Sequence, residues 1–309
     1  MEEEYRNRYL DSVRCNLCGS AEYRVIYEST LTEDDLKGGA GQYSISTKAC
    51  AYGQIVRCSE CGLVYMNPRE KPGDMLGKYT AVKDEDYLTE KEMRQDAFAR
   101  ELKRIEKYAS HKGRLLEVGC FVGLFLELAR SNGWSVSGVE PSAWAVQYAR
   151  EKLGISVAQA PVEEYRFDDT AFDVVTMWDV VEHLADPKKA LASVCKSLKK
   201  QGILFLNTPD FNSIIRRIFG RKCWFVLRTH IYYFTPRTIK RMLEECGFEV
   251  VVIGRHFKTL SLSYFALRFR EVNVFAAGVL GAISRAPLLK NVKITVYAGQ
   301  MSIIARKKD

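Results

Sequence analysis

The chain has 309 residues, of which 47% are hydrophobic and 27% are charged, and its formal net charge is +8. This length predicts about two domains with enough apolar side chains for a core, and no apolar stretch requires a membrane span. The charged start of the chain lacks the apolar core of a secretory signal, so we expect a cytoplasmic protein. Its nine cysteines would then be reduced thiols or metal ligands.

Two Cys-x-x-Cys pairs mark the N-terminal region. The first is Cys15 and Cys18, the second is Cys58 and Cys61, and a glycine follows each pair directly. Such a turn directs two thiolates at one ion, so the two pairs favour a closed structural zinc site with four cysteine ligands. A redox pair or free thiols in a small core is the alternative. The remaining cysteines lack this spacing and are expected to be small buried side chains.

The segments around these pairs predict a small, loop-rich zinc ribbon over residues 10–68. Its predicted parts are strands at 23–27 and 54–57, an acidic, glycine-rich loop at 32–41, and a strand at 63–68 that leaves the ribbon. A linker and cap region at 69–110 follows. It contains a charged connection, 71–87, and a helix at about 90–109 that is rich in Glu, Lys, Arg and Ala.

A short apolar strand at 114–118 then leads into a glycine-bearing turn and a helix. Gly119 and Gly123 allow the backbone of this turn to approach a nucleotide-like cofactor closely. Glu140 follows Gly119 by 21 residues and ends a second strand, where a carboxylate can accept hydrogen bonds from both ribose hydroxyls. The turn alone is a weak signal, because such turns also simply pack a helix onto a sheet.

The rest of the chain alternates between strands and helices, which predicts a parallel, doubly wound sheet. The expected elements are a helix near 122–132, a strand at 135–140, a helix at 142–153, strands at 155–158 and 172–178, a helix at 187–200, a strand at 202–208, a helix at 236–246, and strands at 248–253, 293–298 and 301–306. Asp186 with Pro187, and Thr235 with Pro236, supply the cap and the first position of two of these helices.

Three strings, at 114–126, 172–187 and 202–209, resemble those of the class I S-adenosylmethionine-dependent methyltransferases. The resemblance is to the family with an N-terminal zinc ribbon, which includes small-molecule and sugar methyltransferases, and it covers nearly the whole chain. It implies an α/β fold at 111–309 with a doubly wound, mostly parallel, seven-stranded Rossmann-like sheet and an antiparallel C-terminal hairpin. It also implies that the cofactor is S-adenosylmethionine and that the linker caps it. Tyr79 and Tyr87 are the candidate aromatic residues of this cap, and anchoring of the linker to the domain surface is the alternative. The implied cofactor-binding residues are Glu117, Gly119, Cys120, Gly123, Glu140 and Asp179.

One position departs from the Glu-x-Gly-x-Gly-x-Gly loop of that family, because Phe121 stands where the middle glycine is expected. Its Cβ would crowd the cofactor, which keeps open the alternative of a non-catalytic partner protein with the same fold. The missing glycine also argues against a dinucleotide site, whose pyrophosphate needs close backbone approach.

Two histidines are the candidates for a catalytic base. Methyl transfer depends mainly on positioning and needs a base only when the acceptor loses a proton. The resemblance implies that His183 lies near the methionine end of the cofactor and that His230 lies on the substrate face. We predict His230 as the base, although a packed, hydrogen-bonded histidine is the plainer interpretation of it. His183 is the second candidate, and bracing of the loop is the equal alternative for it.

The positive charge is concentrated in the C-terminal third, where residues 211–308 hold 18 Lys and Arg against 4 acids. The resemblance implies that an insertion at about 211–235 covers the acceptor. The run 211–243 contains no acid, which favours an anionic or phosphate-bearing small molecule such as a nucleotide-linked sugar or a lipid-type acceptor; a solvated basic face is the alternative. The apolar and basic segment at about 259–290 predicts either peripheral contact with a membrane or a cover over a hydrophobic substrate.

A basic zinc-ribbon protein can also bind or modify RNA, which is a second alternative. The acidic ribbon loop argues against it, as does the strand around Met177, which lacks the Asp/Asn-Pro-Pro-aromatic signature of base-amino methyltransferases. Nucleic acid is therefore not the expected partner. The sequence does not indicate an oligomeric state.

Overall fold

The computed structural model describes residues 8–37, 51–81, 83, 86–89, 91–261 and 293–309. The N-terminal unit begins with strands and one short helix. These are β1 (Leu10–Asp11), β2 (Tyr23–Tyr27), α1 (Glu33–Lys37), β3 (Ile55–Cys58), β4 (Val64–Met66) and β5 (Arg69–Glu70). Strands β2, β3 and β4 pair antiparallel in sequence order, as the alternating pattern predicts. Part of the predicted acidic loop is the helix α1, and the rest of that loop lies outside the described residues.

Three helices form the linker: α2 (Pro72–Thr80), α3 (Asp86–Thr89) and α4 (Lys91–Tyr108). The predicted helix at 90–109 is confirmed by α4. Helix α2 was not predicted, because its two glycines, Gly73 and Gly77, lower helix propensity. It forms nevertheless with Pro72 at its first position and with Met75 packed against the core, so tertiary packing outweighs the local preference.

The remaining elements belong to the large C-terminal domain. They are β6 (Arg114–Val118), α5 (Leu124–Ser131), β7 (Ser135–Glu140), α6 (Ala143–Leu153), β8 (Val157–Gln159), β9 (Phe172–Trp178), α7 (Pro187–Ser197), β10 (Leu198–Pro209), α8 (Ile214–Phe219), β11 (Tyr232–Tyr233), α9 (Pro236–Glu245), β12 (Phe248–Ser261) and β13 (Lys293–Lys307). The predicted helix caps are confirmed: Asp186 accepts a hydrogen bond from the Lys189 amide, and Thr235 accepts one from the Thr238 amide.

Seven of these strands form one sheet in the order β12-β13-β10-β9-β6-β7-β8. Strand β13 runs antiparallel to both of its neighbours, while the strands from β10 to β8 pair in parallel. This confirms the doubly wound, mostly parallel sheet with an antiparallel C-terminal hairpin. The carboxyl ends of β6, β7 and β9 meet at one edge, which is where such sheets place ligands.

The hairpin differs in detail from the prediction. The strands expected at 293–298 and 301–306 are one continuous strand, β13, in which Gly299 takes a left-handed conformation with φ of 81°. Strand β12 extends to Ser261, beyond the predicted end at 253, because its pairing with β13 continues to Lys293. Most of the apolar and basic segment predicted at 259–290 lies outside the described residues.

The ribbon does not form its sheet alone. Strand β11 pairs with β4 as the outer strand of the four-stranded ribbon sheet, so residues of the predicted insertion complete the N-terminal unit. The buried apolar residues of both parts also belong to one contiguous cluster, in which Leu17 and Val56 of the ribbon join Met177 and Leu206 of the large sheet. The ribbon is therefore packed on the large C-terminal domain and is not a separate appendage.

Candidate active site and metal centre

The four predicted zinc ligands lie together. Cys15, Cys18, Cys58 and Cys61 each offer a sulfur within 4.8 Å of the others. Two of the sulfur–sulfur distances, Cys15 to Cys61 and Cys18 to Cys58, are 3.4 and 3.5 Å. Ligands about 2.3 Å from a tetrahedral zinc ion are separated by roughly 3.8 Å, so the cluster is compatible with a structural zinc. The other described cysteines, Cys120, Cys195, Cys223 and Cys246, are buried, as expected.

Glu140 ends β7 and is fully buried. One carboxylate oxygen accepts a hydrogen bond from the Phe121 amide at 2.9 Å, and the other accepts one from the Ser142 amide at 2.9 Å. Burial raises the pKa of Glu140 to about 7, against the opposing effect of these two amides. The carboxyl is thus oriented by the backbone, and each oxygen retains a second lone pair for a ligand.

A second acid, Glu117, lies at the end of the neighbouring strand β6 and is 3% exposed. Its Oε2 atom has no hydrogen-bond partner in the described part of the chain. Burial, and then the charge of Glu140, raise the pKa of Glu117 well above its ordinary value. A buried oxygen without a partner is unusual in folded proteins and indicates that a donor belongs at this point.

The turn after β6 leaves no room for a side chain at Gly119. Its φ is 69°, and a Cβ built there would lie 2.5 Å from a methyl carbon of Val180. Phe121 also adopts a left-handed conformation, with φ of 45°, although it carries a side chain. The substitution at the middle of the loop therefore keeps the backbone conformation that a glycine would have, and Gly123 keeps it as well, with φ of 81°.

An aromatic group covers this turn. The Phe121 ring lies 4.7 Å from the Tyr87 ring and 5.6 Å from the Trp144 ring, both measured between centroids. The Arg94 guanidinium sits 3.7 Å from the centre of the Tyr87 ring. Burial raises the pKa of Tyr79 well above its ordinary value, and Glu140 adds to this shift through its charge. Tyr87, one of the two tyrosines predicted to cap the cofactor, therefore lies beside the turn that the cofactor would meet.

Asp179 directly follows β9 and has a left-handed φ of 53°. Its Oδ1 accepts hydrogen bonds from the side-chain amides of Asn207 and Gln300 at 2.9 and 2.6 Å, and its Oδ2 lies 3.1 Å from the Lys258 ammonium. Although burial opposes ionisation, the Lys258 charge, with that of His256, lowers the pKa of Asp179 to about 2. Asp179 is thus a charged group that side chains from β10, β12 and β13 hold in place.

The structure brings the two predicted histidines together. The ring centroids of His183 and His230 are 4.6 Å apart, in an edge-to-face arrangement. His183 Nδ1 donates to the Thr229 carbonyl at 2.7 Å, and His230 Nδ1 donates to the Phe225 carbonyl at 2.9 Å. Because a carbonyl only accepts, these bonds set the neutral tautomer in which each Nε2 carries a free lone pair.

Glu182 joins this pair and was missed as a site residue, although it precedes His183 in the sequence. It is fully buried, and its Oε2 accepts a hydrogen bond from the Thr208 hydroxyl at 3.0 Å. Burial, and then the charge of Asp179, raise the pKa of Glu182 to about 8, while burial lowers the pKa of both histidines. We call Glu182, His183 and His230 the Glu-His-His cluster. Only its adjacent Glu-His pair was visible as a sequence signal.

The basic run at 211–243 divides into two groups. Arg228 is buried in an ion pair with Glu70 at 2.6 Å, and Arg216 donates to the Phe211 carbonyl at 2.8 Å. These two arginines are structural. Exposed cations include Arg217, Arg221, Lys222 and Arg237. Sequence reasoning missed Lys258. This residue pairs with Asp179 but lies far from it along the chain, so no local sequence pattern predicted the pair.

The sequence pattern of a methyltransferase domain family matches residues 90–253, from the linker helix through β12. This range holds both buried acids, the glycine turn and the Glu-His-His cluster. The chain belongs to this methyltransferase family. It is an S-adenosylmethionine-dependent methyltransferase, as the resemblance implied.

Curated relatives agree with this assignment. The ubiquinone biosynthesis O-methyltransferase of Coxiella burnetii (strain RSA 331 / Henzerling II) is 28% identical over 189 residues, which are 57% of this chain and 81% of that protein. The protein of the same name from Thiobacillus denitrificans (strain ATCC 25259 / T1) is 29% identical over 180 residues, covering 53% and 77% of the two chains.

Solved structures support the fold. An S-adenosylmethionine-dependent methyltransferase from Archaeoglobus fulgidus superposes with a TM-score of 0.51 at 22% identity, covering 72% of this chain and all of that one. A possible histamine N-methyltransferase from Thermotoga maritima gives a TM-score of 0.50 at 21% identity, with coverage of 72% of this chain and 95% of that one.

Among the described helices of the present chain, none has the length and apolar character needed to cross a bilayer.

Proposed function

We propose that this methyltransferase transfers a methyl group from S-adenosylmethionine to a hydroxyl oxygen of a small molecule, whose proton leaves at the Glu-His-His cluster. The observation that carries the proposal is that the His230 ring meets the His183 ring and the buried Glu182 carboxylate in the turn after β9. That position is at the ligand-binding edge of the sheet. Oxygen as the acceptor atom is supported by the relatives, whose names describe O-methyltransferases.

We further propose that the cofactor lies over the ends of β6 and β7. Glu140 would accept the ribose hydroxyls, and the unpartnered oxygen of Glu117 would accept a hydrogen bond from the cationic amino group of the methionine part. Two buried carboxylates favour a cationic cofactor over one with a pyrophosphate, because like charges in a buried site repel strongly. Gly119 and Gly123 would allow the close approach, and Cys120 and Asp179 remain predicted contacts.

The proposed acceptor chemistry is tested with methyl-labelled S-adenosylmethionine. The purified protein is incubated with a fractionated small-molecule extract and, in parallel, with total RNA, and labelled products are identified by mass spectrometry. We expect the labelled methyl group in a small molecule. Because the proposal places it on oxygen, reagents that react only with amines should leave the labelled group unchanged. Label in RNA, or cofactor binding without any labelled product, would contradict the proposal and favour the RNA or the non-catalytic alternative.

Glu140→Ala is expected to weaken S-adenosylmethionine binding by roughly ten- to a hundredfold. A charge-assisted hydrogen bond contributes about 1.5–3 kcal/mol, and the substitution also frees the Phe121 and Ser142 amides that the carboxylate holds. Titration calorimetry measures the change. Glu151→Ala, which removes an exposed acid from helix α6, is the matched control. Equal affinities for the two variants would refute the ribose assignment.

The same residue predicts a pH dependence. The pKa of Glu140 is raised to about 7, so the carboxyl is mostly protonated below that pH. Above it the group is a carboxylate, and both of its oxygens accept hydrogen bonds. We therefore expect S-adenosylmethionine affinity to rise as the pH passes from about 6 to about 8. In Glu140→Gln, which keeps the shape but does not titrate, the affinity should be lower and should lose the rise that Glu140 contributes between about pH 6 and 8, so that any remaining pH dependence comes from other groups such as Glu117. A wild-type affinity that is flat over this interval would contradict the prediction.

The anionic character of the acceptor is a finer proposal, supported by the exposed cations next to the ribbon. Arg221→Ala with Lys222→Ala should raise the acceptor KM by about 1.4- to fivefold per charge, since exposed ion pairs contribute roughly 0.2–1 kcal/mol, and should reduce its salt dependence. The control is Lys240→Ala with Arg241→Ala, whose side chains pair with acids on their own helix. The same KM for both double variants would indicate a merely solvated basic face.

A further inference from the structure

The Glu-His-His cluster has the composition of a metal site. One ligand atom from each of Glu182, His183 and His230 lies within 4.8 Å of the other two. The three residues come from two distant parts of the chain, the turn after β9 and the segment before β11. That separation, together with burial, distinguishes the cluster from acids and histidines that are merely close on a surface.

Both imidazoles are oriented as metal ligands are. His183 and His230 each use Nδ1 to donate to a backbone carbonyl, at 2.7 and 2.9 Å. This outer hydrogen bond fixes the ring and leaves the Nε2 lone pair as the ligand, which is the usual arrangement around histidines that bind metal ions.

The carboxylate supplies the independent observation. Glu182 is 0% exposed, and its Oε1 has no hydrogen-bond partner in the described part of the chain, whereas its Oε2 accepts from Thr208. A buried, unsatisfied carboxylate oxygen is costly, and a cation at this point would satisfy it. Lys258, whose charge also acts on Glu182, is held by Asp179 at 3.1 Å, so its charge is largely neutralised.

We infer that Glu182, His183 and His230 bind one divalent transition-metal cation, separate from the ion of the four-cysteine cluster. Two imidazoles and one carboxylate suit a borderline cation such as zinc, ferrous iron or manganese. Three protein ligands leave a coordination position open, unlike four cysteines, which close their site.

The role of this cation rests on the proposed function. A hydroxyl oxygen of the acceptor at the open position would become a stronger acid, and its proton would pass to water, because the cation would occupy the Nε2 lone pairs of both histidines. The histidines then act on the acceptor through the cation. Binding of the cation itself requires neither the cofactor nor the acceptor, so it can be measured alone.

Zinc and cobalt are the probes for this site. Wild-type protein equilibrated with free zinc is expected to hold two ions per chain, and Glu182→Gln and His183→Gln are expected to hold one, with the affinity of the second ion lowered at least about a hundredfold. With cobalt, the first ion should show thiolate charge-transfer absorption and the second should not. His111→Gln, which changes an exposed histidine beside Asp173, is the matched control and should retain both ions.

Retention of the first ion and of S-adenosylmethionine binding verifies that each variant is folded. A single zinc ion in the wild type, or two in both cluster variants, would overturn the inference. If the wild type holds one ion and still methylates a small molecule, the proposed function stands and only the cation is excluded. If it holds two ions but methylates no small molecule, the metal site stands and the proposed function fails.

Discussion

Alanine in place of either cluster histidine is expected to lower kcat by about 10²–10⁴-fold while S-adenosylmethionine affinity stays within about threefold. The acceptor must lose its proton at this point. One imidazole Nε2 would accept it directly, with the other ring packed against that base, or both rings would hold a cation that acidifies the hydroxyl. Neither histidine is at the ends of β6 and β7, where the cofactor is proposed to lie. Steady-state kinetics on the acceptor found in the labelling experiment, with calorimetry for the cofactor, measures the two effects.

The controls for this prediction separate chemistry from folding. His230 is buried and packs against His183, so native circular dichroism and unchanged cofactor binding are needed before a loss of kcat is interpreted. His111→Ala should leave kcat unchanged, because His111 is exposed beside Asp173 at the opposite end of β9. Near-normal kcat in both cluster variants would mean that positioning alone drives the transfer.

Loss of zinc from the ribbon is expected to reduce kcat at least roughly tenfold, and to do so more strongly than it weakens cofactor binding. The structure provides the connection. The Met66 amide at the end of β4 donates to the Ile231 carbonyl at 2.9 Å, and the Ile231 amide donates to the Glu182 carbonyl at 3.0 Å. The ribbon sheet therefore supports the backbone directly after His230 and, through Ile231, the backbone directly before His183.

Cys58→Ser tests this connection, with Cys246→Ala as a control that removes a buried cysteine outside the zinc cluster. In Cys58→Ser we expect less than one zinc at the ribbon and faster hydrogen exchange at residues 10–66 and 231–233, with the sheet from β6 to β10 still protected. Unchanged exchange at Met66 and Ile231 after zinc loss would show that the ribbon does not support the active site.

The sequence was sufficient for features that depend on local spacing. The glycine turn after β6, the acid at the end of β7 and the caps at Asp186 and Thr235 are each set by a few consecutive residues, and the structure has them where they were predicted. The cysteine spacing likewise predicted which four sulfurs converge. The zinc itself and the roles proposed for the acids and histidines still await the experiments above.

Only the tertiary structure decided which distant residues meet. Strand β11 completes the ribbon sheet, Arg228 is neutralised by Glu70, and Glu182 joins the two histidines. Helix α2 also forms against its local preference because Met75 packs on the core. None of these contacts repeats with a helical or strand period, and each depends on how separate segments fold back on one sheet. Periodicity reports the environment of one segment, whereas such pairings depend on the packing and hydrogen bonding of the whole fold.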